Sequence, residues 1–188
     1  MAVTVRDIIT RSLVKAKVYS PGETPSAEDM ESGLDELQNL YEQWGSNGMF
    51  GRLADVLISA AYEASANERI TATASAVVTI PTSFAIDGED FPPYDTAFIE
   101  VINTVAATVT RYLYESGSWV TISSLTLDST APLAGKGRSG LAACLALSLA
   151  EEFGGEIGPG LARQAGSFKT GLSMKQGGDA LRSTPDYF

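Results

Sequence analysis

The hydrophobic period changes twice along this chain, and that constrains its fold more than any single motif. Over residues 4–50 apolar side chains recur every three or four positions, the spacing of one helix face. From Ile70 the recurrence moves toward two, in runs rich in Thr, Val and Ile that read as strands. From Ser139 helical spacing returns. The order is helix–helix, strands, helix–helix. It predicts an α+β protein that is mainly α: a bundle of about four helices built from both chain ends, an inserted β-hairpin or small-sheet subdomain, and an extended C-terminal tail.

The pieces can be bounded. Residues 1–188 are expected to form a single domain. An N-terminal helical hairpin spans 4–50, an inserted β subdomain 66–130, a C-terminal helix pair 139–176 and a tail 177–188. Thr4, with Asp7 three residues on, predicts a capping box at the first helix. The run SPGETP (20–25) breaks the pattern. Ser26 then caps a helix whose apolar stripe is Met30, Leu34, Leu37, Tyr41 and Trp44, and Gly45 or Gly48 ends it. Strands are expected at 70–80, 97–105, 107–115 and 118–127. Glu115-Ser116-Gly117-Ser118 is the hairpin turn between the last two. Residues 52–62 fit helix and strand equally. Residues 139–153 are apolar on most sides and predict the most buried helix. The helix over 158–176 carries Gly160, Gly166 and Gly171, which lower its intrinsic propensity, so packing must hold it.

Composition removes whole classes of chemistry. There is no His, the commonest general base and metal ligand. The single Cys144 can form neither an internal disulfide nor a cysteine cluster, which suits a reducing compartment. Formal net charge is −10, which disfavours a surface that broadly grips nucleic acid or an anionic membrane. The N-terminus lacks a basic stretch followed by a long apolar run, so no signal peptide is expected. The longest apolar run, 141–150, is shorter than the roughly 20 residues a bilayer needs. No cofactor or metal is expected.

Residues 135–140, GKGRSG, match the letters of a dinucleotide-binding glycine loop. That chemistry needs a strand directly before the loop, a second strand after the helix and an acid at its end. Pro132 interrupts the approach, and more helix follows the helix. The stretch therefore reads as a flexible junction with Ser139 as helix cap. Adjacent acids such as Glu89/Asp90 and Glu151/Glu152 point in different directions and read as solvated faces rather than a glycosidase pair.

Charge is segregated along the chain. Residues 26–48 carry six acids, and no base occurs between residues 18 and 51. Glu28, Asp29 and Glu31 favour the positive end of the helix dipole. Asp35, Glu36 and Glu42 lie beyond it. The first helix holds Arg6, Arg11, Lys15 and Lys17, and the last holds Arg163, Lys169 and Lys175. Two readings stay open: heterologous packing of identical subunits in a ring, or pairing within one chain. Asp35, Glu36, Glu42, Arg11, Lys15, Arg163 and Lys169 are accordingly the candidate residues for a subunit interface or a channel-facing surface. The tail ends Arg182-Ser183-Thr184-Pro185-Asp186-Tyr187-Phe188. It reads either as a plain tail or as a Pro-stiffened peptide that anchors two aromatics in a partner's groove.

The break and the helix after it carry a resemblance. Pro21, Gly22, Glu23 and Pro25, then Leu34, Leu37, Trp44 and Gly48, resemble the N-terminal pattern of tailed-bacteriophage head–tail connector (adaptor) proteins, of the packaged-DNA stabilisation type. Gly33, Gln38, Leu40 and Tyr41 stand where that family more often has Ala, Asn, Met and Leu. Residues 139–172 resemble its later helix pair, and the region 52–135 is hardly covered. The resemblance implies a structural protein rather than an enzyme. It implies a dodecameric ring beneath the portal vertex, made in the bacterial host cytoplasm and located in the neck of the virion. The implied partners are further copies of itself, the portal protein and the next tail or neck component. Packaged DNA passes through without specific binding, and no membrane is involved. By position, residues 178–188 would engage the portal. The alternatives are an enzyme, nucleotide-binding or cell-wall-degrading, and a small cytosolic interaction module.

Overall fold

The computed structural model describes residues 2–50, 52–59, 69–73, 84–86, 89–91, 96–103 and 108–180. The fold is α+β, with four helices among the described residues and strands between the second and third. Two compact units divide the chain. One is made of both chain ends, Met1–Trp44 and Leu125–Phe188, and holds nearly all of the helix. The other is the continuous stretch Gly45–Ser124.

In the helical unit, α1 (Val5–Lys15) starts as its sequence predicts. Asp7 N–H donates to Thr4 Oγ1 at 3.2 Å, and Thr4 N–H donates back to Asp7 Oδ2 at 3.1 Å. The next free amides, of Val5 and Arg6, donate to the carbonyls of Ser129 and Leu127 at 2.9 Å each. Segment 127–131 therefore supplies the acceptors that a helix N-terminus lacks internally. At the other end, Ala16 O accepts from Glu156 N–H at 3.0 Å. Gly155 is required there: a Cβ on it would sit 2.3 Å from that same carbonyl.

The second helix, α2 (Ala27–Ser46), is capped by Ser26, whose Oγ accepts from Asp29 N–H at 3.1 Å. Its stripe is buried as expected, with Met30, Leu37, Tyr41 and Trp44 each 4% exposed or less and Leu40 beside them. Leu34 is half-buried. Tyr41 Oη donates to Pro132 O at 2.6 Å and Gln38 Nε2 to Leu125 O at 3.2 Å, which ties α2 to the segment leading into the third helix. Trp44 packs edge-on to Tyr41 and against Phe168, with ring centroids 6.1 and 6.2 Å apart.

The third helix, α3 (Ala134–Phe153), is the centre of this unit. Leu141 through Leu145, Ala146, Leu149 and Ala150 are all buried. The fourth, α4 (Pro159–Ala180), runs back along it. Phe168 lies at Gly140, Cys144 Sγ faces Ala165 O at 3.6 Å, and Leu161 packs on Ala16, Ala146 and Ala150.

Two helix boundaries differ from the sequence reading. GKGRSG is not a junction before α3 but its first turns, interrupted only at Gly137, which is extended. Ser139 lies inside the helix and accepts from Gln164 Nε2 at 3.1 Å instead of capping. The glycines have a packing reason: a Cβ on Gly140 would meet Phe168 at 2.6 Å, and one on Gly137 at 3.1 Å. At the other end α4 continues to Ala180, so 177–180 are helix rather than tail. Glycine weakens a helix by about 1 kcal/mol per residue but does not forbid it. The remaining tail, 181–188, lies outside the described residues.

Among the described residues the second unit holds seven strands: β1 (Arg52–Ser59), β2 (Arg69–Thr73), β3 (Phe84–Ile86), β4 (Glu89–Phe91), β5 (Phe98–Asn103), β6 (Thr108–Glu115) and β7 (Ser118–Thr121). Five form a mixed sheet in the order β2-β1-β5-β6-β7, and β3 pairs with β4. β1 lies parallel to both β2 and β5, while β5, β6 and β7 are antiparallel. The ambiguous stretch 52–62 is thus strand over 52–59. Strand pairing therefore begins earlier than the expected start at 66. Ser116 and Gly117 have φ of +53° and +84°, the left-handed pair a tight two-residue hairpin needs. The expected strand 118–127 stops at Thr121. Ile122 N–H still reaches Arg111 O, but Ser129 N–H then closes on Thr126 O and turns the chain toward α1. Glu100 and Arg111, cross-strand neighbours, form a half-buried ion pair at 3.1 Å. Gly45 precedes β1 where a Cβ would meet the Phe98 ring at 2.6 Å, and Phe50 stacks on the same ring. The expected strand residues 74–80 and 104–107 lie outside the described residues.

Candidate interaction surface

Exposure and helical register sort the candidate charges into sets. On α2 the buried stripe fixes which side faces out. Glu28, Glu31 and Asp35 are exposed, at spacings of three and four, and so form one ridge opposite Trp44. Glu42, seven positions after Asp35, continues that ridge and is half-buried. Glu36 is half-buried and turned about 100° from Asp35, on the flank of the helix rather than on the ridge. Asp29 lies on that flank too. It accepts from Ser26 Oγ at 2.6 Å and from the Tyr19 hydroxyl. Those bonds hold its carboxyl below the ordinary value, the Ser26 hydroxyl contributing most. Asp29 thus locks the Pro-Gly break against α2, a local structural task.

The basic candidates lie on α1 and α4. Arg11 is exposed on α1, one turn before Lys15. Lys15 is half-buried and donates to Gln164 Oε1 at 2.6 Å. Burial first, and the Arg11 charge second, hold its amine below the ordinary lysine value. Arg163, exposed, is the neighbour of Gln164 on α4. Gln164 therefore links Lys15 of α1 to Ser139 of α3, to which it donates onward, while Arg163 is turned about 100° from it on the exposed side of α4. Lys169 joins neither. It is half-buried, six positions from Arg163, and its charge acts on Cys144.

Within the chain the bond from the Thr4 backbone N–H and, to a lesser degree, the Arg11 charge hold the Asp7 carboxyl below its ordinary value. Among the described residues, salt bridges join Arg6 to Asp128, Lys17 to Glu156 and Arg111 to Glu100. None joins Glu28, Glu31, Asp35, Glu36, Arg11, Lys15, Arg163 or Lys169. Two of these side chains, Glu28 and Glu31, were assigned by sequence to the helix dipole alone. Their register with Asp35 is the signal that groups them.

GKGRSG is helix packed on Phe168, with α4 rather than a strand after it. The Cys144 thiol is buried, and that burial pushes it up to about 11, so it stays protonated at neutral pH and is a poor nucleophile. No group of three or more metal-ligating side chains occurs among the described residues. No described helix is long and apolar enough to cross a membrane. Residues Arg182, Ser183, Thr184, Pro185, Asp186, Tyr187 and Phe188, the candidate portal-binding segment, lie outside the described residues. No family model and no curated protein matches the chain.

Proposed function

We propose that this chain is a structural head–tail adaptor of a tailed bacteriophage. Copies assemble as a ring, dodecameric in the proteins it resembles, below the portal. The ring extends the DNA channel, retains packaged DNA and offers the tail a platform. The helical unit is its body, and the tail through Phe188 docks on the portal. The acidic surplus keeps DNA from sticking, because like charge removes the phosphate contacts that dominate non-specific binding.

The observation that carries the reading is the Pro21-Gly22-Glu23 break followed by Leu34, Leu37, Trp44 and Gly48. These residues combine the connector-like spacing with a helix whose exposed Glu28, Glu31 and Asp35 form no salt bridge among the described residues. A ring of identical copies uses such charges; a free-standing module has no need of them.

The test is to mix the full chain with the portal ring of the same phage and measure the mass of the product. A stoichiometric complex is expected, lost when Arg182–Phe188 are removed. No complex under any condition contradicts the adaptor reading. A complex that survives the truncation contradicts the docking role of the tail alone.

A further inference from the structure

α4 is anchored at its start and lightly held along its length. Just before it, Gly155 N–H donates to Ala150 O at 2.8 Å and Glu156 N–H to Ala16 O at 3.0 Å. A pivot follows. Ile157 is 47% exposed, Pro159 is exposed, and a Cβ on Gly158 or Gly160 would meet nothing within 4 Å. Among its described side chains the helix then rests on one spine, Leu161, Ala165, Phe168 and Leu172, of which Ala165 and Leu172 are buried. Gln164 adds polar ties to Lys15 and Ser139. Ala162, Gly166, Thr170 and Ser173 are turned away from that spine and exposed.

The helix does not hold itself. Residues 160, 166, 171, 177 and 178 are all glycine, within a helix of 22 residues. Each weakens a helix about fivefold relative to alanine. Helix formation has a costly nucleus, and a sequence this poor in helix formers does not repay it alone in water. α4 is therefore helical only while it lies on α3. The rest of the unit has no such dependence on α4. α2 buries its own stripe, and α3 also packs on α1, where Ala146 and Ala150 meet Ala16.

We propose that α4 is a releasable strap. It leaves α3 and loses its helix in one step, pivoting at Ile157–Gly160, while α1, α2 and α3 stay folded. Unevenly packed proteins open in this way, one cooperative segment ahead of the rest. Closed, α4 lays about 33 Å of chain along α3. Open, the same 22 residues join the chain that follows Ala180, and the C-terminus is tethered at Gly158 instead of at the far end of the helix. The strap thus sets how far the C-terminal segment reaches. It stands apart from the adaptor reading; under that reading, the segment whose reach it sets is the one that docks on the portal.

Amide hydrogen exchange of the full chain, read on its peptides, tests this. Peptides within 161–173 should be about tenfold or more less protected than peptides within 141–150. Two variants separate local from global opening. Ser26→Ala removes the α2 cap and touches nothing on α4. It should lower protection within 141–150 by about fivefold and leave 161–173 unchanged, because α2 stays folded when the strap opens. Gly166→Ala with Gly171→Ala adds side chains into open space, so the fold is kept. It should raise protection within 161–173 by about tenfold, because the open strap is no longer helix. The proposal is overturned if the two stretches of the parent are equally protected, or if Ser26→Ala lowers both together. It is also overturned if the two alanines leave 161–173 unchanged, since α4 would then undock as an intact helix. None of these outcomes bears on portal binding, so the strap and the adaptor reading fail separately.

Discussion

α2 and α4 belong to the same helical unit and have similar lengths, 20 and 22 residues, yet they are held in different ways. α2 buries Met30, Leu37, Tyr41 and Trp44 of its stripe, with Leu34 half-buried, and its two large aromatics have 1% exposure or less. α4 buries only Ala165 and Leu172 among its described side chains, with Leu161 and Phe168 half-covered. Gly160, Gly166 and Gly171 face open space. The difference teaches that the hydrophobic stripe suffices for α2. α4 instead depends on close approach to α3, made possible by glycines on α3 rather than on α4 itself. Glycine thus has two meanings here. At Gly140 it admits the Phe168 side chain; at Gly166 it has no neighbour to admit.

Substitutions sharpen that contrast. The largest effect is expected from Trp44→Ala, which removes the end of the α2 stripe and its contacts with Tyr41 and Phe168. A loss of about 3–5 kcal/mol should appear in urea denaturation. A loss below about 1 kcal/mol would mean that the stripe does not hold α2. Next is Gly140→Ala, whose Cβ would lie 2.6 Å from Phe168. Overpacking there should cost about 1–3 kcal/mol, although alanine is the better helix former. A gain would break the account of α4.

Ser26→Ala should cost about 1 kcal/mol through loss of the α2 cap, and it should also change the acid limb. The folded Asp29 carboxyl lies below its ordinary 3.8, so its stabilisation is complete above that value. It is lost as pH falls through the folded value. Removing the Ser26 hydroxyl takes away the largest cause of the shift, so unfolding should depend less steeply on pH below about 4. The smallest effect, of opposite sign, belongs to Gly166→Ala. With open space around it, alanine should stabilise the helix by about 0.5–1 kcal/mol in the same denaturation assay. Destabilisation would show that α4 needs glycine there for a reason within the fold.

What the residues alone revealed divides along the same line. The α1 cap, the α2 stripe, the buried α3 and the hairpin turn at Ser116-Gly117 are written in local patterns, and local physics enforces them. The end of β7 at Thr121 is not. It depends on the chain turning at Thr126–Ser129 to supply acceptors to α1, a contact between residues more than a hundred positions apart. The same holds for GKGRSG, where glycine pointed to a loop and the distant Phe168 made it helix. Among the candidate site residues, the acids of α2 could be grouped by register. The bond between Lys15 and Gln164 could not, because it joins residues on two helices far apart in the sequence.

The proposed adaptor role is tested most directly by electron microscopy of the full chain mixed with a tailed-phage portal ring. The account predicts a closed ring on the portal axis, with the helical unit in its wall and the segment through Phe188 against the portal. A chain that binds off-axis as single copies, or leaves the portal bare, would contradict it.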